Sequence, residues 1–408
     1  MKKIKTREMM KKKFLFISNG FGSSTIVSGG EIRLGYLAEY SRKKYNVFLL
    51  TTTGGGKYFR PKKAFKNIIA VNPVSARGKK SEETKGTRFL EYIRTVKRIA
   101  KKDITIRIKD IGPDFIYTSG DFFCDVLPAV RIKKVFKGKW AAMVHMLYSS
   151  PFKRPGNFMI NSIMYLLQRL SFIIIARNAD AVCVLDNLEG RQIAACINRR
   201  KNNKKNNVVY VKNGIFLEEI RKTKAGPRNN KQIVLFGSNR HTKGLIDIAR
   251  ITALINKNVK GAKIMIYGSV TGSFRKELER EIAAEGIKNI FFTGYLDGKK
   301  RFKLMKESGL FFSLSREESW NISLHEALAC GCRVVAYGLP VYHFYKDFIV
   351  RVEMFDKKDF ADKAVHLLRA KYRKIKGIDK YLAQYDWEKI LDSELERIEK
   401  TIKSRKYL

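Results

Sequence analysis

Short apolar runs alternate along the chain with longer stretches in which apolar positions return every three or four residues. A parallel sheet with crossover helices imposes this pattern. Strands are predicted at FLFIS from Phe14, NVFLLTT from Asn46, NIIAV from Asn67, FIYTS from Phe115, WAAMVHM from Trp140, AVCVLD from Ala181 and VVYVKN, which ends near Asn213. Residues 199–206 (RRKNNKKN) and 222–231 (KTKAGPRNNK) are polar, basic and loop-like, and they flank the strand ending in Asn213-Gly214. The alternation then restarts with IVLFGS from Ile233, KIMIYG from Lys263, NIFFTG from Asn289, LFFSLS from Leu310 and RVVAYG from Arg333. The expected fold is α/β: two Rossmann-like, doubly wound parallel-sheet domains facing each other across a cleft, residues 1–213 and 214–384. No repeat of fixed period and no low-complexity tract links the halves. Ligands of such sheets bind beyond the carboxyl ends of the strands, which both units direct into the cleft.

A chain of 408 residues suffices for two cores, and a hydrophobic fraction of 45% is well above that of disordered charged chains. The charge changes the picture more. Lys and Arg number 83 against 38 Asp and Glu, a formal +45, with clusters at Arg131–Lys139, Arg199–Lys205 and Arg369–Lys376. Such a surface attracts phosphorylated ligands, nucleic acid or anionic headgroups, or is simply solvated. Between Arg154 and Arg169 lies the uncharged run NFMINSIMYLLQ, and FIIIA follows before Arg177. A span needs about 20 consecutive apolar residues, so a buried or interfacial helix is expected. The five cysteines form no C-x-x-C pair, which points away from zinc and from a disulfide framework. The basic stretch Lys2–Lys13 precedes an apolar run, Phe14–Ile17, far shorter than a signal-peptide core, and the expected location is cytoplasmic.

The densest chemistry lies in SLSREESWNISLHEALACGCRVVAY, Ser313–Tyr337, where a strand leads through a polar loop into a short helix and another strand. Glu318 falls in the loop and Glu326 in the helix, with seven residues between, so both can face a ligand over the strand ends. A carboxylate accepts hydrogen bonds from two vicinal hydroxyls, as on a ribose or hexose. A second motif, FGSNRHTKGL from Phe236, places Gly237 at a strand end and Arg240 and Lys243 before a helix predicted from about Gly244. Cations at a helix start suit a diphosphate, and they stabilise the charge that grows when the bond to it breaks. Ser28-Gly29-Gly30-Glu31 again sets glycines between a strand and a helix, where backbone can approach a phosphate or sugar. His145 and Asp121 both follow predicted strands of the first unit.

The Glu-x7-Glu frame closing in ALACGCRVVA resembles the signature of retaining glycosyltransferases of family 4. The resemblance implies the two-domain GT-B fold and transfer of a sugar from a nucleotide-sugar donor to a glycan or lipid-linked acceptor. It places Glu326 on the ribose hydroxyls, Glu318 on the donor sugar, Lys243 and Arg240 on the diphosphate, His145 near the transferred sugar, and Gly29, Gly30, Gly237, Asn321, Ile322 and Ser323 around the donor. Lys243-Gly244 matches the family, but Ser238 stands where an Arg is usual, and Ser319-Trp320-Asn321 replaces the usual Gly-Phe-Gly. ARNADAVCVLDN from Ala176, VVYVKNGI from Val208, FFTGYL from Phe291 and YDWEKIL from Tyr385 are similar to further landmarks. The last implies a terminal helix, 385–408, that packs back on the first domain. By the same resemblance the diphosphate leaves on the face that the acceptor enters.

No Asp-x-Asp and no His, Cys or carboxylate group with metal spacing occurs, so a reaction without metal is expected, with the nucleotide-sugar as co-substrate and no cofactor. Peripheral contact with anionic membrane at the inner face is an expectation from the basic surface and the run from Asn157 to Ala176. Specific nucleic-acid binding is not expected, since no known motif for it is present. Two alternatives stay open: a basic polyanion-binding protein without catalysis, and a sugar-nucleotide epimerase or phosphorylase on the same fold.

Overall fold

The computed structural model describes residues 11–19, 29–71, 92–97, 103–152, 154, 157–200 and 207–403. Ser28 of the Gly-Gly motif, most of the basic N-terminal stretch and residues 201–206 therefore lie outside the described residues. Seven parallel strands form the first sheet: β1 (Lys13–Ser18), β2 (Asn46–Thr52), β3 (Asn67–Val71), β4 (Phe115–Thr118), β5 (Lys139–Val144), β6 (Ala181–Leu185) and β7 (Val208–Val211), in the order β3-β2-β1-β4-β5-β6-β7. The second holds six: β8 (Asn229–Phe236), β9 (Lys263–Tyr267), β10 (Ile290–Gly294), β11 (Ser308–Ser313), β12 (Arg333–Tyr337) and β13 (Val350–Val352), in the order β10-β9-β8-β11-β12-β13. Each sheet reverses its winding once, between β1 and β4 and between β8 and β11, and a crevice opens at the carboxyl end of each reversal.

The strands read as unbroken apolar runs because both faces of each sheet are covered. In β1, Phe14 and Phe16 enter one core and Leu15 and Ile17 the other, the two-residue period of a strand. In β8, Val234 likewise parts from Ile233 and Leu235. The one strand that the pattern did not predict is β13. It has three residues and a single neighbour, with Arg351 exposed between Val350 and Val352, too short for a period to register.

Helix α1 (Gly29–Ser41) follows β1, α2 (Phe123–Phe136) follows β4, α3 (Phe158–Asn178) and α4 (Leu188–Asn198) flank β6, and α5 (Ile248–Asn256) follows β8. Helix α6 (Gly298–Lys306) precedes β11, α7 (Ile322–Ala329) joins β11 to β12, and α8 (Trp387–Lys403) ends the described chain. A bridge between Ile215 and Asp386 carries the chain back, with Ile215 N–H donating to Tyr385 O at 2.8 Å. Trp387, Ile390, Leu391, Leu395, Ile398 and Ile402, at helical spacing, are buried where α8 meets α1 and strands β5, β6 and β7. Arg33 of α1 forms a fully buried ion pair with Glu394 of α8 and donates to Lys212 O at 2.7 Å and to Asn213 Oδ1 at 3.1 Å. These bonds satisfy a charge that is costly to bury alone.

Candidate active site

Both reversal points carry the residues that the sequence singled out. On the second sheet, β8 ends at Phe236 and β11 at Ser313, and the loops after them are tied together: Arg316 N–H donates to Thr242 O at 2.7 Å. Gly244 makes the approach possible, with φ +62°, and a Cβ there would sit 1.9 Å from Leu314 O. Lys243 is thereby delivered to Glu318, and the two form a short, mostly buried ion pair, with Ser315 Oγ donating to the same carboxylate at 2.8 Å. Both side chains expected to face the donor thus lie at one point and hold each other.

The helix expected from Gly244 starts four residues later. Two 3-10 turns, His241–Lys243 and Leu245–Asp247, come first, and α5 opens at Ile248 behind Asp247. The amides of Lys243, Gly244 and Asp247 are bonded to Arg240, His241 and Gly244 carbonyls within these turns. Gly237 N–H donates to Tyr267 O at 2.7 Å. Asp247 is held by Arg316 at 2.9 Å and by Lys357 at 3.1 Å. What this loop offers an anion is the Lys243 ammonium and the exposed Arg240, not a helix start.

A helix start does stand at the end of β11. Asn321 caps α7, its Oδ1 accepting from Leu324 N–H at 3.0 Å, while its Nδ2 donates to Ser313 Oγ at 3.0 Å and Tyr342 Oη at 2.8 Å. Both ends of that amide are occupied by protein. Ile322 and Ser323 open the first turn, where helices leave amides unpaired, and Ser323 lies beside the Tyr267 hydroxyl. Trp320, at the departure from Gly-Phe-Gly, stacks on His325 at 4.4 Å and meets the edge of Tyr385 at 5.0 Å, bracing the loop from behind.

Glu326 is buried one turn into α7, and its Oε1 accepts from Arg301 Nη2 of α6 at 2.7 Å. Burial pushes this carboxyl above its usual range, and the guanidinium works against that push. Arg301 Nε is buried with no partner among the described residues, and Tyr36 and Tyr58 of the first domain are within its electrostatic reach. Sequence reasoning missed Arg301, one cation among 83 with no motif around it.

On the facing domain, Gly29 and Gly30 open α1, and a Cβ on Gly29 would lie 3.5 Å from Ile322 Cδ1, so the two reversal points meet here. His145 is just past β5, its Nε2 2.8 Å from Ser119 O. A carbonyl only accepts, so Nε2 carries the proton and Nδ1 remains the acceptor of a neutral ring. Burial, with Arg33 adding to it, lowers the imidazole to about 4 and keeps it neutral at pH 7. Asp121, beyond β4, accepts from Gln168 Nε2 at 2.9 Å, and burial raises it to about 6. A Cβ on Gly30 would lie 2.9 Å from His145 Nε2. Gly30→Ala is expected to displace the imidazole and lower kcat by about tenfold or more while Tm falls by only a few degrees. Steady-state rates and thermal melts of the purified variant check this.

Residues 217–346, which contain Lys243, Arg301, Glu318 and Glu326, match the family described as Glycosyl transferases group 1. Comparison with curated proteins finds no match. Solved structures that resemble the whole chain include HepE of Anabaena in complex with UDP and glucose, at 14% identity and TM-score 0.69, covering 95% of this chain and 100% of that one. Another is sucrose-phosphate synthase of Thermosynechococcus elongatus, at 15% and 0.70, covering 97% and 100%. A variant of S. aureus TarM in complex with fondaparinux, alpha-GlcNAc-glycerol and UDP follows at 14% and 0.66, covering 95% and 99%. At these identities the likeness establishes the fold, and the fold is GT-B. With the group 1 segment seated on its second domain, the chain is a glycosyltransferase.

Proposed function

We propose that the protein is a family 4 retaining glycosyltransferase that moves a sugar from a uridine diphosphate sugar to a glycan or lipid-linked acceptor without a metal ion. The observation that carries this reading is the meeting of Lys243 with Glu318 beyond the ends of β8 and β11, where the chain enters α7, the helix that holds Glu326 and whose first residue, Ile322, faces Gly29 beside Gly30 and His145. Glu326 accepts from the ribose hydroxyls. The diphosphate draws Lys243 away from Glu318, and the freed carboxylate takes hydroxyls of the donor sugar. The anomeric carbon–oxygen bond breaks toward the diphosphate, and the acceptor oxygen bonds that carbon from the same face. The acceptor proton passes to the departing phosphate oxygen. Lys243 and the first turn of α7 stabilise the charge that develops there. His145 Nδ1 accepts from a sugar hydroxyl. Uridine is supported by the bound UDP of HepE and TarM.

UDP and UDP-sugars are expected to raise Tm by several degrees without added metal, and ADP and GDP by less, in thermal-shift assays. Product from the stabilising donor, examined by NMR, is expected to keep the donor's anomeric configuration. Stabilisation by polyanions alone, lost with salt, would replace the transferase reading with a binding protein. Conversion of the nucleotide-sugar to its epimer, with no transfer to an acceptor, would favour an epimerase.

A further inference from the structure

Helix α3 is long and apolar enough to cross a membrane, yet its two halves differ. From Gln168 onward it is built into the first domain: Gln168, Ser171, Phe172, Ile175 and Ala176 are buried, and Phe172 and Ile175 belong to the core on that face of the sheet. A helix so fixed cannot present the roughly 20 residues that a span requires. Its first half projects. Met159, Leu166 and Leu170 are 71%, 60% and 51% exposed and lie on one face, seven and four residues apart. Phe152, 85% exposed, meets the half-exposed Phe158 ring at 5.0 Å at the tip.

The segment that carries this face bears charge of one sign. From Tyr148 to Asn178 there is no Asp or Glu, and the charged residues are Lys153, Arg154, Arg169 and Arg177. Arg169 lies over the Tyr165 ring at 4.7 Å, its stem along the helix, between the exposed Leu166 and Leu170. An apolar face on a segment whose charges are all basic, with Arg154 and Arg169 beside its exposed half, suits a layer with an apolar interior and an anionic surface, and a second copy of so basic a chain would repel it. We infer that the N-terminal half of α3, with the Phe152 tip, docks this protein onto an anionic lipid bilayer, entering it by about 5–10 Å without crossing.

The same elements reach the cleft. Gln168 donates to Asp121 Oδ2 at 2.9 Å and to Met146 O at 3.0 Å, next to His145, while Arg154 lies 4.0 Å from Glu317, the neighbour of Glu318. At 1.5 Å per residue the tip at Phe158 stands about 15 Å beyond Gln168. A docked molecule therefore opens its acceptor side toward the membrane surface. That the acceptor is lipid-borne rests on the proposed transferase reading; the docking does not.

The test is flotation of the full chain with vesicles of phosphatidylcholine and phosphatidylglycerol in equal parts, and of phosphatidylcholine alone, at low and high salt. Binding to the anionic vesicles is expected, with a fraction surviving high salt. The combined variant Phe152→Ser, Met159→Ser, Leu166→Ser is expected to bind about tenfold or more weakly, with Tm and UDP response unchanged. Trp140 and Trp387 are buried and Trp320 is partly so, so their emission is not expected to change with vesicles, and the difference between Phe158→Trp and the parent protein is expected to shift to the blue with anionic vesicles. Equal vesicle binding by the triple variant would overturn the proposal in favour of diffuse charge. So would absence of binding, or a dimer in sedimentation that the triple variant abolishes. A failed UDP response would instead count against the transferase reading and leave vesicle binding untouched.

Discussion

Lys243→Ala is expected to lower kcat by about 10²–10³-fold, the loss typical when one fixed group stabilising developing transition-state charge is removed. The reason is position. The ammonium lies at the end of β8, beyond the Gly244 turn packed against Leu314, and is paired with Glu318 until the diphosphate draws it away. Donor affinity should fall less than kcat, because the diphosphate carries more charge as it departs than while bound. Lys243→Arg keeps the charge and is expected to recover part of the rate, whereas Arg240→Ala removes an exposed cation and should have a small effect. Steady-state kinetics with thermal melts decide it. An unchanged kcat for Lys243→Ala, with Tm lowered, would make the pair a structural clasp and no more.

The second large effect belongs to Glu326 and Arg301. Glu326→Ala leaves a part-buried guanidinium without its carboxylate, an expected cost of about 1–3 kcal/mol, together with loss of UDP binding. These two losses can be pulled apart. The paired variant Arg301→Met, Glu326→Leu replaces the buried ions by apolar groups of similar size and is expected to recover most of the stability while nucleotide binding stays lost. Urea unfolding gives the first quantity and UDP titration the second. Recovery of both would mean that Glu326 serves packing alone.

The strands were legible because each is buried on both faces and so writes an uninterrupted apolar run, with β13 the exception for its three residues. The placement of Lys243 beyond β8, and of Glu318 and Glu326 beyond β11, was legible from their spacing after those strands. The helix after β8 was misjudged by a turn: in a sequence, Lys-Gly before an apolar stretch looks like a helix start, while the positive φ of Gly244 ends one 3-10 turn and begins another. Arg301 was invisible for a different reason. Its meaning comes from α6 lying beside α7, a contact between two helices of the second domain that no local pattern records. Asn321, in a cap and a Tyr342 bond, and Trp320, against His325 and Tyr385, are likewise defined by distant partners.

The return of α8 to the first sheet bears on how the molecule is made. A ribosome releases strand β7 long before it releases Trp387, and at about 5–20 residues per second the wait is on the order of ten to thirty seconds. Through that interval the seven-stranded sheet is without the helix that buries Trp387, Leu391 and Leu395, and Arg33 is without Glu394. The second domain, whose strands run without interruption from Asn229 to Val352, has its elements in hand first. The half of the protein that is synthesised first is thus the half that is finished last, and nascent chains stalled before Trp387 are expected to be protease-sensitive in residues that the completed molecule protects.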